Sequence, residues 1–173
     1  APTGYDPGGM SIGFIRSNDA GVTWSSPITL ATSSIHMHWP SIVVDGTGGT
    51  DDKIYISMLD DASPNEIFFT KSVDSGVTWS SKRSIASVPY CPYMSQIAYW
   101  GAHIHVVTFT LTPGNKGNGG IFYIHSSDCG ETWDPPANIS PKVSPSTDVW
   151  GLHPVATLNE KGYPVVFWAQ NDT

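Results

Sequence analysis

The chain has 173 residues, enough for one domain with a real core, and 39% are hydrophobic, 12% aromatic and only 13% charged. Seventeen Gly and fourteen Pro fit an all-β chain with many turns. A net charge of −7 leaves no basic stripe for phosphates, so neither nucleic acid nor an anionic membrane is an expected partner, and no apolar run approaches the roughly 20 residues that would insert in a bilayer.

The chain opens Ala1-Pro2-Thr3-Gly4, with neither an initiator Met nor a signal-peptide pattern, as expected of a processed, trimmed or incompletely known product. The first expected strand, Ser11–Arg16, runs into Ser17-Asn18-Asp19-Ala20-Gly21-Val22-Thr23-Trp24. The pattern returns as Ser72-Val73-Asp74-Ser75-Gly76-Val77-Thr78-Trp79 and as Ser126-Ser127-Asp128-Cys129-Gly130-Glu131-Thr132-Trp133. The common form is S-x-D-x-G-x-T-W, with 55 residues from Asp19 to Asp74 and 54 from Asp74 to Asp128. So regular a period marks a repeat architecture. Each copy reads as a hairpin turn. The Asp accepts hydrogen bonds from N–H groups of its own turn, the Gly takes a positive φ, and Thr and Trp lead into the next strand.

Between the first two turns the expected strands are Ser41–Asp45, Lys53–Leu59 and Glu66–Ser72, and the second turn leads into Val77–Ile85. The next period gives Ser95–Trp100, His103–Leu111 and Gly120–Ser126, and the tail gives Pro154–Leu158 and Tyr163–Ala169. Breaker-rich turns stand at Asp45-Gly46-Thr47-Gly48-Gly49 and Asn115-Lys116-Gly117-Asn118-Gly119.

The three motifs, spread over nearly the whole chain, resemble the Asp box of the sialidase-like (bacterial neuraminidase repeat) β-propeller family. The resemblance implies an all-β propeller of four-stranded blades, each box being a structural turn between the third and fourth strands, on the face away from the active site. It assigns that structural role to Ser17, Asp19, Gly21, Thr23 and Trp24, to Ser72, Asp74, Gly76, Thr78 and Trp79, and to Ser126, Asp128, Gly130, Thr132 and Trp133. With strands lettered A to D from centre to rim, residues 1–173 read as a single propeller segment: strands C and D over 1–30, blades over 31–85 and 86–140, and strands A and B over 141–173. That is about three blade equivalents, half of a six-bladed propeller. Since about four to eight blades close a propeller, two completions stand open: a homodimer with two-fold symmetry, or the remaining blades of a longer chain.

The segments leading into each strand A are rich in aromatic and imidazole groups. They are Ser34-Ile35-His36-Met37-His38-Trp39-Pro40, Pro89-Tyr90-Cys91-Pro92-Tyr93-Met94 and Asp148-Val149-Trp150-Gly151-Leu152-His153-Pro154. In a propeller of this type they line the concave face, which makes His36, His38, Trp39, Tyr90, Tyr93, Trp150 and His153 candidate ligand-binding residues. Flat rings beside polar tips suit sugars, whose C–H faces stack while hydroxyls hydrogen-bond; the alternative is that these side chains plug the centre. His36 and His38, like His103 and His105, are spaced to share one face of a strand, but no third ligand accompanies either pair, and neither metal nor cofactor is expected.

Sialidases of the family use three arginines, a Tyr/Glu pair, an Asp acid/base and an Arg-Ile-Pro segment. This chain has only Arg16 and Arg83, and no Arg-Ile-Pro. Asp60, Asp61 and Asp148 are the candidate catalytic carboxylates for another glycosidase, which needs two roughly 5–10 Å apart. Cys91 and Cys129 are too few for a disulfide framework and are expected at opposite ends of a blade, unbonded. The leading expectation is a secreted or cell-surface protein that recognises glycans or other carbohydrate without sialidase chemistry of its own. The alternatives are part of a glycoside hydrolase whose catalytic residues lie mostly outside this chain, and a structural or protein-interaction propeller.

Overall fold

The computed structural model describes residues 10–46, 51–89, 91–111, 120–140 and 153–168. They form twelve strands: β1 (Ser11–Phe14), β2 (Ile28–Thr32), β3 (Met37–Val44), β4 (Ile54–Asp60), β5 (Glu66–Ser72), β6 (Arg83–Ser87), β7 (Cys91–Trp100), β8 (His103–Leu111), β9 (Gly120–Ser126), β10 (Ala137–Asn138), β11 (Val155–Leu158) and β12 (Pro164–Phe167). No helix is present among the described residues. The two complete sheets are antiparallel meanders in chain order, β3-β4-β5-β6 and β7-β8-β9-β10, and the pairs β1-β2 and β11-β12 make two smaller sheets.

Hydrophobic runs explain the middle strands. β4 is buried along its whole length, so both its faces are covered. Three clusters lie between successive sheets. Ile12, Met37, Ile54, Met58 and Phe68 join β1-β2 to the first meander. Tyr55, Phe69, Ile97, Ile104, Val106 and Ile124 join the two meanders. Phe109 and Ile121, with Tyr93, Val166 and Trp168 against them, join the second meander to β11-β12.

Each S-x-D-x-G-x-T-W segment connects two paired strands: β1 to β2, β5 to β6 and β9 to β10. Three expected strands shift. The strand expected over Val77–Ile85 is found only as β6 from Arg83, because Val77 and Thr78 spend their N–H groups on the Asp74 carboxylate (3.1 and 2.8 Å). The strands expected from Ser41 and Ser95 begin earlier, at Met37 and Cys91. Both contain a bulge, between His38 and Ser41 and between Tyr93 and Gln96, where Trp39 and Met94 take φ of 53°. In the first two of the segments read as loops before strand A, residues 37–40 and 91–94 are thus strand.

Candidate functional site

Register brings the first cluster together. Met37 on β3 faces Asp60, the last residue of β4, so His36 and His38 flank the position where the chain leaves β4 at Asp61. The backbone fixes that exit, the Asp61 N–H donating to the His36 carbonyl at 2.9 Å. Both imidazoles, two residues apart, turn to one carboxylate: His38 Nε2 lies 2.9 Å from one Asp61 oxygen and His36 Nδ1 3.4 Å from the other. All three side chains are about one-third exposed, so the group is open to a ligand. Trp39 follows, 39% exposed, its ring 5.9 Å from that of His38.

The neighbouring sheet adds its own copy of the segment. Cys91 and Tyr93 on β7 are the counterparts of His36 and His38 one repeat later. Burial pushes the Cys91 thiol up, and the Asp61 charge pushes it further. Tyr93 is likewise raised, by burial first, then by Cys91 and Asp61. Asp61 therefore acts electrically on groups of the neighbouring sheet, and Cys91 stays a neutral thiol. Ser95 Oγ ties the sheets by donating to the Trp39 carbonyl at 3.2 Å, which gives the bulge a fixed partner.

Asp60, expected in a loop, instead ends β4 and is 5% exposed. Lys82 Nζ sits 2.5 Å from one of its oxygens, and the other accepts from Ser33 Oγ (2.5 Å) and Ala62 N–H (2.9 Å). Burial alone would raise this carboxyl. The Lys82 and Ser33 bonds outweigh it and hold Asp60 ionised below the ordinary value. With its oxygens so occupied, Asp60 is an anchor that leaves Asp61 as the open carboxylate. His153 is exposed just before β11, and no described hydrogen bond or ring contact ties it to Asp61. Tyr90, Asp148 and Trp150 lie outside the described residues.

The turns are at the other end of the strands. β4 runs towards Asp61 and β5 away from it to Ser72, so the two ends are roughly 20 Å apart. All three turns repeat one bond set. The Asp carboxylate accepts the Thr N–H at 2.8, 2.8 and 2.9 Å and the Thr hydroxyl at 2.5 Å, and the Ser Oγ accepts the Gly N–H at 2.8 Å. Cys91 begins β7 and Cys129 lies in the third turn; both are free thiols.

A further cluster escaped the sequence reading as a unit. His103 and His105 of β8 stack with Tyr123 and His125 of β9. His103 Nδ1 is 3.0 Å from His125 Nε2, His125 Nδ1 is 2.8 Å from an Asp134 oxygen, and His105 Nδ1 is 2.7 Å from the Tyr123 hydroxyl. The signal was the alternation of imidazoles on β8, but its partners come from cross-strand register. No group of three or more metal-ligating side chains converges among the described residues.

No family model matches the chain, and no curated protein does. Among solved structures it is similar to NanB plus Optactamide (19% identity, TM-score 0.55, covering 90% of this chain). It is similar also to the NanB sialidase of Streptococcus pneumoniae bound to 2-[(3-chlorobenzyl)ammonio]ethanesulfonate (19% identity, TM-score 0.54, 89% of this chain). The chain spans 23% of the length of each. The likeness is one of fold: the chain has an all-β, sialidase-like fold.

Proposed function

We propose that this chain is a segment of a six-bladed, Asp-box propeller of four-stranded blades, exported from the cell, whose concave face recognises neutral, hydroxyl-rich glycans around Asp61. The observation that carries the reading is the meeting of His36 and His38 on the Asp61 carboxylate beside the exposed ring of Trp39. A carboxylate accepts paired sugar hydroxyls, imidazoles donate or accept at their edges, and an indole face stacks on sugar C–H bonds. The charge decides the class. A site centred on a carboxylate repels an anionic sugar acid, and the two arginines stand elsewhere, Arg16 beside the first turn and Arg83 at the start of β6.

The test is titration with neutral oligosaccharides and with sialylated ones, followed by calorimetry or chemical-shift changes. Neutral glycans are expected to bind, Asp61→Asn to weaken them about 10–100-fold, the worth of a hydrogen bond to a charged group, and Trp39→Ala to weaken them through loss of the stacking face. Preference for the sialylated ligand, or indifference to both substitutions, overturns the reading.

A second reading is favoured by the sialidase neighbours and the 23% coverage. In it the chain is part of a sialidase-superfamily glycoside hydrolase whose remaining catalytic residues lie on other segments, with Asp61 the carboxylate this segment contributes. Hydrolysis of aryl glycosides that vanishes in Asp61→Asn would favour it over recognition alone.

A further inference from the structure

The chain displays one docking contact twice. The second turn seats on the sheet before it: a Cβ added at Gly76 would lie 2.7 Å from the Phe14 ring, and Trp79 meets that ring edge-on at 4.9 Å. The third turn repeats this one sheet later, with 2.7 Å from Gly130 to the Phe69 ring and 5.1 Å from Trp133. A cation two residues after the ring completes each contact. The Arg16 guanidinium donates to the Ser75 carbonyl, and Lys71 Nζ donates to the Cys129 carbonyl at 3.0 Å. The receptor is thus an aromatic ring three residues before the motif Ser and a cation one residue before it.

The third copy of that receptor on β9 has Tyr123 as its ring and, at the place of the cation, His125, whose two ring nitrogens already meet His103 and Asp134. Among the described residues no turn meets it. The first copy of the turn is equally bare: a Cβ added at Gly21 would meet nothing within 4 Å but its own Trp24, which is 59% exposed. We propose that the first turn of a second copy of this chain docks on Tyr123 and His125, with Trp24 edge-on to the Tyr123 ring, and that a two-fold axis makes the contact twice. Both halves of the contact belong to this one chain, which is what a self-complementary dimer needs. The same rotation has a second use. β12 carries Val165 and Phe167 exposed, and the cleft of about 270 Å³ between β1 and β3 is lined by Ile12, Pro40 and Ile56. The dimer lays the first on the second, covering apolar surface that each copy alone leaves in water.

This inference stands apart from the glycan reading, since it uses the opposite ends of the strands. Sedimentation of the 173-residue chain over a range of concentrations tests it. The expected result is a species of twice 18.6 kDa. Trp24→Asp should weaken it at least about 30-fold, as for a central aromatic anchor. Val22→Asp should leave it intact, because its counterpart Val77 stays 62% exposed beside the docked second turn. Trp24 and Val22 are both exposed, so circular dichroism of either variant is expected to match the parent. A chain that stays monomeric throughout, its receptor then being filled by a different polypeptide segment, overturns the proposal. So does a dimer that Trp24→Asp leaves undiminished.

Discussion

Ser17 and Ser72 make the same bonds in different surroundings, and the difference sets what each is worth. Ser72 is 1% exposed, and its Oγ is the acceptor for the buried N–H of Gly76 at 2.8 Å. Ser72→Ala strands that donor and should cost about 1–3 kcal/mol, whereas Ser17→Ala, on an exposed turn, lets water substitute and should cost clearly less; urea unfolding of the two variants compares them. The turn carboxylates respond to acid. The Thr hydroxyl first, then the Thr N–H and the Ser hydroxyl, hold Asp19 and Asp74 at about 2 and Asp128 lower still. Folded values below the unfolded value of 3.8 stabilise the fold above that pH, and the contribution is lost as pH falls through about 2. His105 has the opposite logic. Burial, then the charges of His125 and His103, push it down to about 4, so between the ordinary 6.5 and about 4 the unfolded chain takes up a proton that the folded chain refuses. Stability should fall across that window by up to about 3 kcal/mol. His105→Phe should flatten the fall in melting experiments at about pH 7 and about pH 4, while giving up the bond from Nδ1 to the Tyr123 hydroxyl.

Strand edges were legible where periodicity and breakers agreed. Glu66–Ser72, His103–Leu111 and Gly120–Ser126 are read from the sequence and found at the same bounds. The misses have local causes. Trp39-Pro40 reads as the end of a loop, since Pro has no N–H for a ladder, yet a bulge absorbs it and β3 continues back to Met37. The meeting of His36 and His38 with Asp61 was out of reach, because it depends on Met37 facing Asp60 across a pairing that no local pattern specifies. Asp60 reads as a loop residue for the same reason. Its place at the end of β4, joined to Lys82 ahead of β6 and to Ser33 after β2, makes it a clasp between elements. Lys82→Met removes the cation from a carboxylate that is 5% exposed and should cost about 3–5 kcal/mol. Asp60→Asn combined with Lys82→Met should recover part of that loss; equal melting of the single variant and its parent would show that the clasp carries no load.

At the scale of the molecule, the period of 55 and 54 residues announced stacked, similar units, while the way the units stack was hidden in three glycines. Read alone, Gly21, Gly76 and Gly130 are turn residues, and all take positive φ, 87°, 81° and 80°. The structure gives two of them a second task. Gly76 and Gly130 let the next sheet's turn close to within ring contact of Phe14 and Phe69, while Gly21 faces only its own Trp24 at 3.9 Å. Substitution by Ala separates the tasks. Every Ala variant bears the backbone strain of the left-handed region, a shared cost of about 1–3 kcal/mol. Only at 76 and 130 does the new methyl group also meet a ring at 2.7 Å, with Ile54 or Ile104 at 3.3 Å behind it. Overpacking of that kind adds about 1–3 kcal/mol. Gly76→Ala and Gly130→Ala should therefore unfold at lower denaturant than Gly21→Ala, measured at dilution enough to keep the chain monomeric. Phe69→Leu, which shortens the ring that Gly130 abuts, should narrow the gap for Gly130→Ala and leave Gly76→Ala unchanged. Three equal losses would mean that the glycines serve their turns alone and that the sheets are spaced by something else.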